Sequence, residues 1–323
     1  MNRRQFLEKI IIGAAASSTA GSIPNNSAAQ NQAADNGKKL DIGALVKSIQ
    51  KDLLLDTPSR FQWYASGTDY GSDKAVILVP NIHPLNNSGF YDEALNVVFR
   101  HMRSIGLEDA VYGAPDFVES MLPTIKRRLI KAGAELPDNF DRGYLLEESS
   151  GLKIIYDSGI KVFGIEDANM IKTANCIDDY SGAIIGLKVR QLKERLSLEK
   201  ATQEFDSIKG RYPCSTFGSI TIPGNRILAD MVAYDEHVAS LRKASEDHAL
   251  HKRTNAAVDI LIKKLAGNTG SGIKPNVVGL LYGSEHMDEV KKLLERHKIS
   301  YVIVSNPRID VISSIGNSIY YPK

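Results

Sequence analysis

The sequence has only two cysteines, Cys176 and Cys214, which lie far apart with no CxxC partner. This scarcity argues against a disulfide framework and against a zinc ribbon. It leaves open one structural disulfide between the two residues, in an oxidising compartment. An excess of one charge is also absent, since 40 basic residues face 38 acidic ones and the formal net charge is +2. Without a broad basic field, we expect no nucleic-acid partner.

Several catalytic signatures are missing as well. No GxSxG elbow occurs in the chain, which argues against serine chemistry. The glycine-rich stretch GNTGSG lacks the lysine and the following serine or threonine of a phosphate-binding loop. The composition, 43% hydrophobic and 24% charged over 323 residues, is that of an ordinary globular protein with a real core.

Residues 1–39 are predicted to be an export signal followed by a flexible spacer. MNRRQFLEKIIIGAAASSTAGS has a basic start, a short apolar run and then small residues, and the run is too short to span a bilayer. Arg3 and Arg4, followed by Gln-Phe-Leu, resemble the twin-arginine motif. The rest of this segment has no periodicity. We therefore expect a periplasmic or other extracytoplasmic protein with no stable membrane span after signal cleavage.

Residues 40–323 are predicted to form a single α/β domain with a mostly parallel sheet flanked by helices. The β-branched runs KAVILVP, DAVYGAP and IKVFGIED alternate with helical spacing, which is typical of parallel βαβ units. Two stretches share the order strand, turn, histidine, helix, strand. They are AVILVPNIHPLNNSGFYDEALNVVFRHMRSIGLEDAVYG and NVVGLLYGSEHMDEVKKLLERHKISYVIVSNP. The domain is therefore expected to have two related βαβ halves, with a long helical insertion over about 178–266.

In the first half, the sequence also predicts where the helix ends and the next strand begins. Apolar residues at helical spacing predict a helix that is closed by Gly106 and buries Tyr91, Leu95, Val98 and Met102. The following strand is then expected to begin near Asp109 and to end at Tyr112. A further helix is predicted from Phe117 to about Ala132.

Two histidines follow buried strands. His83 comes four residues after Val79, and His286 comes five residues after Leu281. Ligands of parallel sheets bind outside the carboxyl ends of the strands, so both imidazoles are expected at one edge. There they would bind a divalent metal ion or serve as acid and base. The alternative for each histidine is a structural role in its turn, and the turn of His286 is expected near solvent.

Other polar side chains are expected at the same edge. Glu166 and Asp167 follow the strand KVFGI, and Tyr112 closes the preceding strand. Arg253 lies at the border of an apolar helical stripe, where an arginine usually extends into water. Its guanidinium could instead reach a substrate carboxylate or a developing oxyanion.

GLLYGSEHMDEVKKLLERHKISYVIVSNP resembles the second Gly-x-x-His unit of the TraB/Tiki, ChaN-like and erythromycin-esterase-like proteins, and VILVPNIHPLN resembles their first unit. An arginine that precedes an amphipathic helix in this superfamily matches Arg253. The resemblance covers residues from about Lys74 to Pro307 and implies an α/β core with two halves around one cleft. Pro80 departs from the glycine of the first motif, and Tyr112 stands where the superfamily has a glutamate.

Members of this superfamily include metal-dependent proteases, an esterase that acts on macrolide lactones, and haem-binding proteins of iron uptake. The resemblance therefore implies an exported hydrolase that cleaves an ester or amide in a small molecule or peptide. His83 and His286 would hold a divalent metal ion that polarises water. Side chains expected to act as ligand, base or oxyanion donor are Glu166, Glu285 and Arg253. Those expected to contact substrate are Tyr112 and Asp167.

Two alternatives to a hydrolase stay open. One is a non-catalytic protein whose histidine pair binds haem or a metal ion. The other is a member that keeps the fold and has lost the activity. Tyr112 at the glutamate position favours both alternatives.

Overall fold

The structure, a computed structural model, describes residues 39–57, 63–81, 92–131, 135–212, 224–267 and 276–306. The predicted signal at 1–38 lies outside these ranges, as do His83 and Cys214. Export, the participation of His83 and a pairing of Cys176 with Cys214 therefore stay predictions. Within the described ranges, no helix combines the length and the apolar character that a bilayer crossing requires.

Strands in the described ranges form one six-stranded sheet with the order β1-β6-β2-β5-β3-β4. Their bounds are β1 (Tyr64–Thr68), β2 (Lys74–Asn81), β3 (Ser104–Val111), β4 (Lys161–Glu166), β5 (Asn276–Gly283) and β6 (Ser300–Ser305). β1 runs antiparallel to β6, whereas β2 pairs in parallel with β5 and β6, and β3 pairs in parallel with β5. The predicted α/β fold with a mostly parallel sheet flanked by helices is confirmed.

The α-helices of the described ranges are α1 (Ile42–Asp56), α2 (Asp92–Val98), α3 (Phe117–Lys131), α4 (Arg142–Glu148), α5 (Ser150–Asp157), α6 (Ala168–Lys193), α7 (Leu198–Arg211), α8 (Met231–Glu246), α9 (Arg253–Gly267) and α10 (Met287–Arg296). Local sequence explains where several begin. Asp41 accepts a hydrogen bond from the Ala44 N–H at 2.8 Å, and Asp141 accepts one from the Tyr144 N–H at 2.9 Å. Such N-cap side chains satisfy donors that the helix itself leaves without partners.

The two βαβ halves interleave in the sheet. The first is β2-α2-β3 and the second is β5-α10-β6, and β5 lies between β2 and β3. β2 in turn lies between β5 and β6. The carboxyl ends of β2 and β5 are consequently neighbours, and Asn81 pairs with Gly283.

The predicted boundary before β3 is wrong. α2 ends at Val98 and is followed by a short 3-10 turn, and β3 begins at Ser104. Gly106 does not close a helix but pairs with Leu280 inside the sheet. The reason is that β3 is buried at every residue except its last, so it shows no alternation of apolar and polar residues.

The chain divides into two compact units. The first comprises Met1–Gly164 and Leu261–Lys323. Its core lies between the sheet and the helices that pack on it, and fully buried members include Ile77, Val79, Ile105 and Val302.

The second unit, Ile165–Ile260, is helical. Its core includes Ile177, Tyr180, Ile184, Leu187 and Phe205. Helices α6 to α9 lie between β4 and β5 in the chain, where the sequence predicts a helical insertion over about 178–266. A six-residue π-helical segment, Asp247–Lys252, joins α8 to α9.

Candidate active site

His286 lies in the short 3-10 turn Ser284–His286 that follows β5. The residue is only 2% exposed, so the expectation of a position near solvent is wrong. The turn brings the imidazole back over the end of its own strand, where it stacks on the Tyr282 ring. The ring centroids are 4.4 Å apart and the planes are inclined by 22°. This stacking holds the imidazole in one orientation.

A glutamate that the sequence analysis missed lies beside this histidine. Oε1 of Glu108, on β3, is 3.8 Å from Nε2 of His286, and both side chains are 3% exposed. Oε2 of Glu108 accepts a hydrogen bond from the backbone N–H of Gly283. The bond is possible because β3 and β5 are paired in parallel up to Leu107 and Leu281. Placing the start of the strand at Ser104 would have revealed Glu108 as a charged residue inside a buried strand.

Glu285 approaches the same imidazole from the exposed side. Its Oε1 lies 3.8 Å from Nε2 of His286, and its side chain is 45% exposed. The imidazole therefore has one buried and one exposed carboxylate within the same distance. Glu285, a carboxylate predicted for the site, is thus brought to His286.

Gly283 is required by the close approach of these groups. A Cβ atom at this position would lie 3.1 Å from Oε2 of Glu108 and 3.2 Å from Oε1 of Glu285. Most real Cβ contacts are longer, so any side chain here would push the carboxylates apart. The glycine of the sequence motif thus has a steric cause.

Asp109 adds backbone strain to the site. Its φ is +67°, a left-handed conformation in the middle of β3, and the residue is 2% exposed. Aspartate is among the few non-glycine residues that adopt this conformation, at a cost of about 1–3 kcal/mol. Strain of this kind concentrates at functional sites, and here it directly follows Glu108.

In the helical unit, Glu166 and Arg253 form a buried two-point ion pair. Nε of Arg253 donates to Oε2 of Glu166 at 2.8 Å, and a terminal nitrogen donates to Oε1 at 2.7 Å. The Glu166 side chain is 0% exposed and that of Arg253 is 12% exposed. Their predicted catalytic roles stay predictions.

The two residues predicted to contact substrate have local structural partners. Tyr112 follows the end of β3 and is 46% exposed, and the ammonium of Lys264 lies 5.4 Å from its ring centroid. Asp167 caps α6 by accepting hydrogen bonds from the N–H groups of Asn169 and Met170, at 2.8 and 3.0 Å. Contact of either residue with a substrate stays a prediction.

Carboxylates and an imidazole are suitable ligands for a divalent cation. Glu108 and Asp109, adjacent on β3, are buried carboxylates with oxygen atoms within 4.8 Å of each other. Around His286, Nε2 is 3.8 Å from an oxygen of each flanking glutamate. Ligand atoms of tetrahedral zinc are roughly 3.4 Å apart, given metal–ligand bonds of about 2.0–2.2 Å. Both distances are within a few tenths of an ångström of this value, and the types of donor atom fit a metal ion. Haem binding stays a prediction.

Comparison with known proteins identifies no relative. No family model matches the chain, and no curated protein or solved structure matches it. The resemblance to the TraB/Tiki, ChaN-like and erythromycin-esterase-like superfamily therefore depends on the motifs alone.

Proposed function

We propose that this protein hydrolyses an ester or amide bond in a small molecule or peptide, at the carboxyl edge of its sheet. One observation carries the proposal: the Nε2 atom of the buried His286 imidazole lies 3.8 Å from the buried Glu108 and 3.8 Å from the exposed Glu285. An imidazole beside a carboxylate is a common acid–base pair in catalysis. The imidazole lies beyond the carboxyl end of a parallel strand, which is where parallel sheets bind their ligands.

The geometry suggests how the proton moves. A water molecule hydrogen-bonded to Nε2 of His286 would also be within reach of Glu285, because the two protein atoms are 3.8 Å apart. As this water attacks the carbonyl carbon, His286 takes its proton. The Glu108 carboxylate, fixed by the Gly283 N–H, stabilises the imidazolium that forms. The imidazolium then returns the proton to the leaving alcohol or amine.

The proposal includes a divalent metal ion as cofactor. With the ion bound, Nε2 of His286 would be a ligand beside Glu108 and, as the sequence predicts, His83, and Glu285 instead of His286 would take the proton from water. Such an ion, when bound, supplies a Lewis acid and a water molecule of lowered pKa. Glu166 and Arg253, which hydrogen-bond to each other, are given no step here.

A panel of substrates tests the activity. Untagged protein would be assayed for metal content and for product release from aryl esters, lactones and fluorogenic peptide amides, with and without added Zn²⁺ or Mn²⁺. We expect hydrolysis of at least one class, reduced about 10²- to 10⁴-fold in His286→Gln. His297→Gln, at the exposed end of α10, is the matched control and should retain the activity. Equal rates in the two variants, or no hydrolysis of any substrate, would contradict the proposal.

We also propose that the protein acts outside the cytoplasm, on the basis of Arg3 and Arg4 in the signal-like segment. Replacing both arginines with lysine should keep the protein inside the cell. Cell fractionation measures this directly, and normal export of the double variant would show that the twin-arginine assignment is wrong.

A further inference from the structure

Helix α6 is apolar on two opposite faces. One face packs into the core of the helical unit, where Ile177, Ile184 and Leu187 are fully buried. The opposite face is exposed, although it also carries large apolar residues. A helix that is apolar all round is normally covered on all sides. The exposed face of α6 is therefore a candidate contact surface.

The apolar residues of the exposed face form a continuous line. Ile185, Val189 and Leu192 are 37%, 42% and 63% exposed. Their spacing of four and three residues places them on successive turns, and Gly182 continues the line one turn toward the N-terminus. Single exposed apolar residues are common in globular proteins, whereas a row of three marks an interaction surface. We call these four residues the exposed stripe.

Two glycines leave space on this side of α6. Gly182 belongs to the exposed stripe, Gly186 lies one turn further along beside it, and both are exposed. Glycine in the interior of a helix destabilises it relative to alanine. A Cβ atom at either position would meet no atom of the described residues within 4 Å, apart from its own stretch of helix. Packing within the described ranges thus gives no reason for glycine here, whereas a closely approaching second helix would.

The charges beside the exposed stripe differ between the two ends of α6. Asp179, Gly186 and Lys193 recur every seven residues, so they lie on one flank of the helix. This flank is acidic toward the N-terminal end, without a side chain in the middle and basic at the C-terminal end. Arg190, further round the helix, is paired with Glu204 of α7. A flank with this order of charges complements a second copy of itself that runs in the opposite direction.

We propose that α6 binds α6 of a second copy of this protein, with the two helices antiparallel and related by a two-fold axis at the level of Leu187. In this register, Ile185 of each copy meets Val189 of the other. Leu192 of each copy fits against Gly182 of the other, where the missing side chain makes room. Each contact occurs twice, as in every two-fold interface.

The same register brings opposite charges together. Asp179 of each copy lies close to the level of Lys193 of the other, on the same flank, and the two Gly186 residues face each other between these pairs. A parallel arrangement would instead place aspartate beside aspartate and lysine beside lysine, which is repulsive. A contact made by one helix from each copy is smaller than a standard interface of about 1,600 Å². We therefore expect a reversible dimer with a dissociation constant in the micromolar range.

Sedimentation equilibrium of the full chain tests the dimer. We expect reversible association that weakens at least about tenfold in Ile185→Glu, since this variant places two charges inside an apolar contact. Ile130→Glu is the matched control, because Ile130 is also exposed, at 56%, but lies on α3. It should dimerise as the wild type does. Equal weakening in the two variants, or a wild type that stays monomeric up to about 0.5 mM, overturns the proposal.

Gly182→Leu separates a lost contact from a damaged fold. Leucine is the better helix former and meets open space in the single copy, so the melting temperature of the dilute protein should not fall. In the dimer it collides with Leu192 of the second copy, and the affinity should weaken about tenfold or more. Gly210→Leu makes the same change at an exposed glycine of α7 that also has open space around it, and it should leave the affinity unchanged. Equal affinities of the two variants overturn the proposal.

An exchange of charges tests the register. Asp179→Lys and Lys193→Asp each put like charges together at both ends of the contact, so each alone should dimerise roughly tenfold more weakly. Combining the two changes in one chain, or mixing the two single variants, should return the affinity to within about threefold of wild type. Circular dichroism checks the fold, and if a single variant is unfolded, the comparison of Gly182→Leu with Gly210→Leu decides. A folded combined variant as weak as the single variants overturns the antiparallel pairing.

Discussion

Nε2 of His286 lies 3.8 Å from Oε1 of Glu108, and each of the two side chains is only 3% exposed. Glu108 lies on β3, and His286 lies in the turn that follows β5, the strand that pairs in parallel with β3. Burying an imidazole and a carboxylate costs free energy unless they interact with each other or with a ligand. A pair of this kind at the carboxyl edge of a sheet is therefore a strong candidate for chemistry.

Because His286 is buried and stacked on Tyr282, we expect His286→Ala to destabilise the protein as well as to inactivate it. Loss of the stacked ring should lower the free energy of unfolding by about 2 kcal/mol. Urea unfolding would measure this. His297→Ala, at an exposed position, should change stability by less than about 0.5 kcal/mol. Equal stabilities of the two variants would show that the imidazole is not packed as described.

Breaking the ion pair of Glu166 and Arg253 should lower the free energy of unfolding. Glu166→Gln or Arg253→Met leaves a buried charge without its partner and should cost about 3–5 kcal/mol. The double variant Glu166→Leu with Arg253→Met should cost less than either single change, because no charge is left behind. Thermal and chemical unfolding of the three variants would show this non-additivity.

An exposed ion pair in the same unit serves as the control. Arg190 and Glu204 are 48% and 35% exposed, and breaking their pair should cost less than about 1 kcal/mol. If breaking the buried pair costs no more than this, the Glu166 and Arg253 side chains are not held as described. A double variant that is less stable than both single variants would contradict the expectation that an unpaired buried charge is the main cost.

His237 should make the stability of the helical unit depend on pH. The residue is 8% exposed, and burial lowers the pKa of its imidazole. The folded state therefore favours the neutral ring, while the unfolded chain takes up a proton near pH 6.5. Stability is fully present above that pH and is lost as the pH falls toward the lower pKa of the folded state.

Unfolding measured between pH 5 and 8 checks this, with His237→Gln as the variant. The slope of stability against pH should be shallower in the variant. Some slope will remain, because burial also lowers the pKa of His101 and of His248. An unchanged slope would mean that His237 takes up its proton equally in the folded and unfolded states.

Sequence patterns predict those helices and strands whose formation depends on residues close together in the chain. The helix predicted from Phe117 begins there, because Asp116 accepts hydrogen bonds from the N–H groups of Val118 and Glu119. β2 was predicted from an uninterrupted β-branched run, and it is a central strand. β1 was not predicted, since Tyr64–Thr68 is short and rich in small residues and depends on pairing with β6.

The site was harder to predict than the sheet, for a physical reason. Glu108 has no local signal of function, because its partners are Gly283 and His286 on a distant segment. His286 is buried because the turn after β5 folds back over the strand. The spacing of residues in the sequence does not specify that path. The motif did identify Gly283 and His286 as belonging together, and the contacts of Gly283 with both carboxylates explain why.

The central claim is that Glu108 and His286 form the catalytic pair of a hydrolase, and Glu108→Gln tests it most directly. This change keeps the size of the side chain and removes its charge, so the fold should persist, as circular dichroism would show. On any ester or amide that the wild type hydrolyses, we expect kcat/KM to fall by about 100-fold or more, because the imidazolium loses its stabilising carboxylate. A folded Glu108→Gln protein whose kcat/KM stays within about threefold of wild type, a difference below 1 kcal/mol, would contradict the claim.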